Sequence, residues 1–155
     1  MGLDHNFIYF ASDKYYDEIW RNIHFHPLRI EDDIIPKSEY VSIHDDILRY
    51  YHDYLVWTKL YNPCKKEYVN GLCYYGITTI YGDALFQFKS IIDGLLKIFS
   101  NAPNMIKLKG NYIIGENCYD KIFIEKVKII DIFDRLNKLI ERAIERKDYI
   151  IHCGI

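Results

Sequence analysis

Leu72-Cys-Tyr-Tyr-Gly-Ile-Thr-Thr-Ile-Tyr-Gly-Asp83 is the stretch whose reading decides the fold class. Residues 72–81 are rich in aromatic and β-branched side chains, which suit a pleated strand. Gly82-Asp83 then turns the chain and offers a helix N-cap. Behind it, Leu85, Phe88, Ile92, Leu95 and Phe99 recur at helical spacing and define one buried stripe. Ser100-Asn-Ala-Pro103 ends that helix. Residues 105–112 alternate, with Ile106 and Leu108 on one side and Lys107 and Lys109 on the other, as in a half-exposed strand. Residues 119–125 supply a hairpin partner across Gly115-Glu-Asn117. A long helix then carries Ile129, Phe133, Leu136, Ile140 and Ala143 inward, with Glu141, Glu145, Arg142 and Arg146 on its solvated side. Residues 149–153 form a closing strand.

Working back toward the start, residues 7–11 form a short β-prone run. Ser12 or Asp13 then caps a helix in which Tyr16, Ile19, Trp20 and Ile23 share a face. Pro27 and Pro36 bracket an acidic stretch without a period. A helix is expected over 44–61, with Ile47, Tyr51, Tyr54 and Leu55 on one face and Asn62-Pro63 as its stop. This order predicts one α/β or α+β domain spanning 1–155: a small mixed sheet of about four or five strands with three or four amphipathic helices packed on it. It allows strands 72–81 and 105–112 to be parallel neighbours joined by a right-handed crossover.

The composition is that of a globular protein, with 155 residues, half of them apolar and 27% charged. Fifteen tyrosines supply rigid amphipathic contact area. The net charge of −2 conceals an asymmetry. Residues 1–60 hold eleven Asp/Glu against six Lys/Arg, a balance of −5, whereas residues 61–155 hold eleven against fourteen, a balance of +3. An acidic first half repels phosphates and attracts a basic protein, and no nucleic acid is expected as a partner of the chain. No apolar run approaches the roughly 18 residues that span a bilayer, and nothing near Met1 reads as a signal peptide, so no membrane partner is expected and the chain reads as cytoplasmic. Four cysteines at 64, 73, 118 and 153 form no C-x-x-C pair and suit free thiols in a reducing compartment.

Chemistry-bearing motifs are few. His24-x-His26 has no third ligand at a useful spacing, and Pro27 breaks the geometry behind it, so no metal is expected. His152 and Cys153 are adjacent on a strand and point to opposite faces, which prevents them from sharing a proton. There is no G-x-S-x-G, P-loop or G-x-G-x-x-G, and no cofactor is expected. The most suggestive feature is an acidic, aromatic stretch. Glu31, Asp32 and Asp33 precede Glu39 and Tyr40, and Asp45, Asp46 and Asp53 follow, interleaved with Tyr50, Tyr51, Tyr54 and Trp57. Carboxylates there would speed encounter with a basic partner and aromatics would supply desolvated anchors. The competing reading makes the tyrosines core and the acids ordinary surface.

Several segments resemble cytoplasmic immunity proteins of bacterial polymorphic-toxin systems, including those of contact-dependent inhibition. They are the opening Met1-Gly-Leu-Asp-His5, Gly76-Ile-Thr-Thr-Ile-Tyr-Gly82 leading into 88–99, Ser100-Asn-Ala-Pro103 before Ile106-Lys-Leu-Lys-Gly110, and the closing Tyr149-Ile-Ile-His-Cys-Gly-Ile155. The resemblance covers about half the chain, chiefly 72–155, and consists of core patterns rather than a chemical motif. It implies a protein that neutralises one cognate toxin domain, often a nuclease, by covering its active site or a neighbouring surface. It carries no functional residue onto a position here. The expectation is therefore a non-enzymatic inhibitor that meets a basic toxin domain through the acidic, Tyr-rich surface of 31–54. The alternatives are a small enzyme whose Cys/His site only folding reveals, and a self-associating adaptor.

Overall fold

The last strand of the chain lies at the centre of its sheet. In the computed structural model, which describes residues 4–13 and 35–155, β8 (Tyr149–Cys153) pairs on one side with β1 (Asp4–Phe10) and on the other with β5 (Ile77–Ile80). Outside β1 lies β2 (Tyr40–His44). Outside β5 lie β3 (Lys59–Asn62) and β4 (Glu67–Asn70), giving a six-stranded sheet of order β2-β1-β8-β5-β3-β4. Every ladder is antiparallel. Two single-turn helices, α1 (Asp45–Leu48) and α2 (His52–Leu55), connect β2 to β3. Two long helices, α3 (Asp83–Ser100) and α4 (Lys126–Arg146), pack against each other and are joined by a separate hairpin of β6 (Met105–Ile113) and β7 (Cys118–Glu125).

The architecture is α+β, as the element order predicts, with more strands than expected and no parallel ladder. Residues 105–113 pair only with β7, so the parallel crossover from 72–81 does not occur. The two helical stripes do what their spacing requires. Leu85, Phe88, Ile92 and Leu95 from α3 and Ile129, Phe133, Leu136 and Ile140 from α4 are buried together against Phe7, Val41, Ile43 and Ile150 of the sheet. Phe7 stacks on Phe88 and Phe99 on Phe133, at centroid distances of 5.7 and 5.6 Å. Burying each such ring stabilises the fold by about 1.5–3 kcal/mol relative to exposure. α4 stops where Lys147 enters the left-handed region at φ 58° and its N–H reaches back to Ile144 and Ala143 carbonyls.

The helix expected over 44–61 is corrected by the structure. Ile47, Leu48, Tyr51 and Leu55 are buried at helical spacing, but the backbone leaves the helix at Tyr51 (φ −128°, ψ 3°). Lys59, Leu60, Tyr61 and Asn62 instead alternate outward and inward as β3. The segment must arrive extended to add a strand beside β5, and sheet pairing outweighs a modest helical preference. Residues 72–81 also contribute less strand than their composition suggests. Only Ile77–Ile80 pairs, and 72–76 folds back as a loop across the end of β8. Tyr16, Ile19, Trp20 and Ile23, and the histidines at 24 and 26, lie outside the described residues.

That fold-back depends on Gly154. Its N–H donates to Gly76 and the next N–H, of Ile155, donates to Tyr74, at 2.7 and 3.1 Å. A Cβ at position 154 would sit 2.1 Å from the Tyr74 carbonyl oxygen, so only glycine permits this approach. Gly154→Ala is expected to cost about 1–3 kcal/mol, as overpacking does. Urea denaturation would register this as a lower midpoint with an unchanged slope.

Candidate functional site

The segment from β2 to β3 has an inner and an outer side with different chemistry. On the inner side, the helix-facing surface of the sheet turns polar at one end, where His152 lies in register with Phe7 and Thr78. His5 Nδ1 lies 3.0 Å from His152 Nε2, with the rings stacked at 5.2 Å and 10°. His5 Nε2 lies 3.4 Å from Asp45 Oδ1 at the start of α1. The same carboxylate oxygen accepts a hydrogen bond from the Tyr74 hydroxyl, which the 72–76 loop brings across. The Tyr74 ring packs edge-on against both His5 and His52.

Both sheet imidazoles are fully buried. Desolvation holds His5 below the ordinary imidazole range, partly opposed by the Asp45 carboxylate. Burial, with the neighbouring His5 and His52 adding to it, pushes His152 well below that range. Two neutral rings share one hydrogen bond, and electrostatics selects its direction. A proton on His5 Nε2 faces the Asp45 carboxylate, so His5 Nδ1 accepts and His152 Nε2–H donates. The string Tyr74–Asp45–His5–His152 thus ties three separate parts of the chain to the sheet. With both imidazoles at zero exposure, a substrate has no access to either in this conformation.

Two thiols neighbour these residues in sequence, Cys153 beside His152 and Cys73 beside Tyr74. Cys153 sits on the opposite sheet face from His152, and burial pushes its thiol up to about 12. Cys73 accepts a hydrogen bond from Asn62 Nδ2 at 3.0 Å. All four cysteines are unpaired, and no group of three or more metal-ligating side chains occurs among the described residues.

The outer side of the same segment is open. Tyr54 and Trp57 stand against α3 and, with Ser90, Ile91, Gly94, Leu95 and Ile98, line an apolar groove of about 340 Å³. Trp57 is 72% exposed and Ile98 63%. The Tyr54 and Trp57 rings meet at 5.4 Å, which fixes one wall. Nothing lies within 4 Å of where a Cβ on Gly94 would sit, so the glycine leaves the opposite wall low. Gly71, at φ 78°, approaches the Val56 backbone so closely that its Cβ would fall 2.9 Å from the Val56 Cα, and it holds the Val56–Trp57 turn in place.

The carboxylates and tyrosines of the acidic stretch do not share one face. Glu31, Asp32 and Asp33 lie outside the described residues. Glu39 pairs with Arg142 at 2.8 Å, and that guanidinium also covers the Tyr9 ring at 3.8 Å. Tyr40 is half-buried in β2, its carbonyl accepting from Arg135. Asp45 belongs to the inner string, and Asp46 lies 3.3 Å from Arg49. The Tyr50 hydroxyl donates to the Lys109 carbonyl of the hairpin. Of these carboxylates and tyrosines, only Tyr54 lines the groove. Asp53 is exposed and forms no ion pair among the described residues. The groove residues of α3 were missed in the sequence, although Ile91, Gly94 and Ile98 form a second apolar line beside the core stripe, wider than the core requires.

The fold and this site define an α+β domain with a buried imidazole pair beneath one segment and an open aromatic groove above it. No protein-family model, curated protein or solved structure matches the chain. No helix among the described residues is long and apolar enough to cross a membrane.

The imidazole pair gives the fold a pH dependence of definite sign. The folded pKa values of His5 and His152 lie below their unfolded values, so the unfolded chain takes up protons first. The stabilisation is present above about pH 6.5 and is lost as pH falls below it, by up to about 1.4 kcal/mol per pH unit for each suppressed group. His152→Gln keeps an Nε2–H donor toward His5 without titrating. Its unfolding free energy is expected to vary less between pH 7 and 5 than that of the parent chain.

Proposed function

We propose that this chain is a binding protein that neutralises a partner protein by direct contact, and that the Tyr54–Trp57 groove on α3 is the contact surface. The observation that carries the proposal is the groove itself: an exposed Trp and Tyr over an aliphatic floor, with the exposed Asp53 next in sequence to Tyr54. Exposed Trp and Tyr flanking an apolar cleft are the residues from which interface hot spots are built. The resemblance of residues 72–155 to immunity proteins supports a toxin domain as the partner, acting in the cytoplasm. The pairing of Glu39, Asp45 and Asp46 with groups of this chain moves the anchor from a broad acidic face to the groove. An apolar side chain of the partner would then enter between Trp57 and Ile98, and a basic one would meet the exposed Asp53 that precedes Tyr54.

The experiment is co-expression and calorimetric titration with the toxin domain encoded immediately upstream. Trp57→Ala is expected to weaken the complex about 30-fold or more, the loss typical of a central aromatic anchor. Gly94→Leu, which fills the groove, should do likewise without lowering the melting temperature. Reversing Asp32, Asp33 and Asp46 to Lys should change affinity less than Trp57→Ala. Protection of the host without a complex in solution, or an undiminished affinity in both groove variants, would overturn the proposal.

A further inference from the structure

The β6–β7 hairpin presents a second surface that the groove does not explain. Its inner face buries Ile106 and packs Leu108 and Ile124 on the core. Its placement is fixed by Arg49, which donates to the Asn111 side chain and the Lys109 carbonyl at 2.8 and 2.9 Å. The outer face alternates cations and rings. Register places Lys107 opposite Phe123, Lys109 opposite Lys121 and, beyond a bulge, Tyr112 opposite Tyr119. Phe123, Tyr119 and Tyr112 are 60, 52 and 48% exposed.

Two features of this face work against the isolated fold. Like charges directly opposite on a ladder are destabilising, yet Lys109 faces Lys121 with Lys107 on the diagonal, and none of the three forms an ion pair among the described residues. Large rings on an exposed two-stranded sheet also gain little from burial in this chain. Gly110 adds a close packing constraint. A Cβ there would meet Asp120 Cβ at 2.7 Å, and Asp120 lies on the alternate side of β7 from Lys121, outside the lysine row. Glu125, at the base of the face, pairs with Lys128. Among the described residues the lysine row is therefore left without an ion-pair partner.

We infer that the outer face of the β6–β7 hairpin is a binding platform for single-stranded nucleic acid. Same-face neighbours along a strand stand about 7 Å apart. Phe123 and Tyr119, four positions apart with Lys121 between them, thus offer two stacking positions about 14 Å apart, with Lys107 and Lys109 on the facing strand. Every base has a π-face, and stacking on aromatics combined with phosphate neutralisation is how sequence-tolerant single-strand binding works. Lys109 Nζ already lies 5.1 Å above the Tyr119 ring, which holds cation and ring in one site. An acidic peptide would match the lysines and leave the rings unused. The charge argument against nucleic acid applies to residues 1–60. The hairpin, residues 105–125, holds three lysines against Glu116, Asp120 and Glu125, a balance of zero, and the register gathers the lysines on the outer face.

Fluorescence anisotropy of the full chain with a labelled 15-nucleotide oligo-dT, and with a labelled oligo-glutamate of equal charge, tests this platform. The oligonucleotide is expected to bind more tightly, with a slope of log affinity against log salt near −2, about −0.7 for each neutralised phosphate. Lys121→Gln should reduce that slope by about 0.7 and leave the melting temperature unchanged or higher, because it removes the like-charge pair. Phe123→Ala should weaken binding about tenfold with the salt slope retained. Equal binding of oligo-glutamate, no binding of oligo-dT at low salt, or indifference to Phe123→Ala would overturn the inference.

Discussion

Two imidazoles in hydrogen-bond contact 3.0 Å apart, with no exposure to solvent, are the constraint on which the working end of this protein depends. His5 and His152 come from the first and last described strands. Their placement side by side requires β1 and β8 to be neighbours, which places the end of the chain at the centre of the sheet. A buried imidazole without partners costs free energy. Asp45 faces His5 Nε2 at 3.4 Å and Tyr74 packs edge-on against the His5 ring, while His152 Nδ1 has no hydrogen-bond partner among the described residues. Asp45 starts the segment that carries Tyr54 and Trp57. Tyr74 belongs to the loop pinned by Gly154. The polar string beneath thus sets the position of the apolar groove above.

This division of labour accounts for an acidic segment that is not an acidic face. Counting charges over residues 1–60 suggests a surface of one sign. In three dimensions Glu39 reaches across to Arg142, Asp46 to Arg49 and Asp45 inward. Of these, Glu39 is neutralised by a cation of the basic second half, Asp46 pairs within its own segment, and Asp45 meets the uncharged His5 and Tyr74. The segment's exposed chemistry is chiefly aromatic. The reverse holds for the hairpin, whose net charge is unremarkable but whose register gathers three lysines on one side.

The parts of the fold that could be read from sequence are those whose signals are local and long. The stripes at 85–99 and 129–143 repeat over several turns, and α3, α4, the hairpin and β8 follow them closely. The misread segment, 44–61, has a helical stripe only two turns long. It ends in a four-residue strand whose reason to exist is its neighbour β5, paired through Tyr61 and Thr79. The site was half legible. Tyr54 is legible from its own segment, whereas Ile91, Gly94 and Ile98 supply the opposite wall from a helix some forty residues on. His5 and His152, 147 positions apart, carry no sequence signal that relates them.

The central claim is that partner recognition takes place in the groove between Trp57 and α3. Hydrogen–deuterium exchange of the chain, alone and saturated with the proposed toxin-domain partner, tests it most directly. The account predicts slowed exchange over 53–58 and 90–99, with 39–46 unchanged. Protection confined to the acidic residues before position 47, with the groove exchanging as in the free protein, would contradict it.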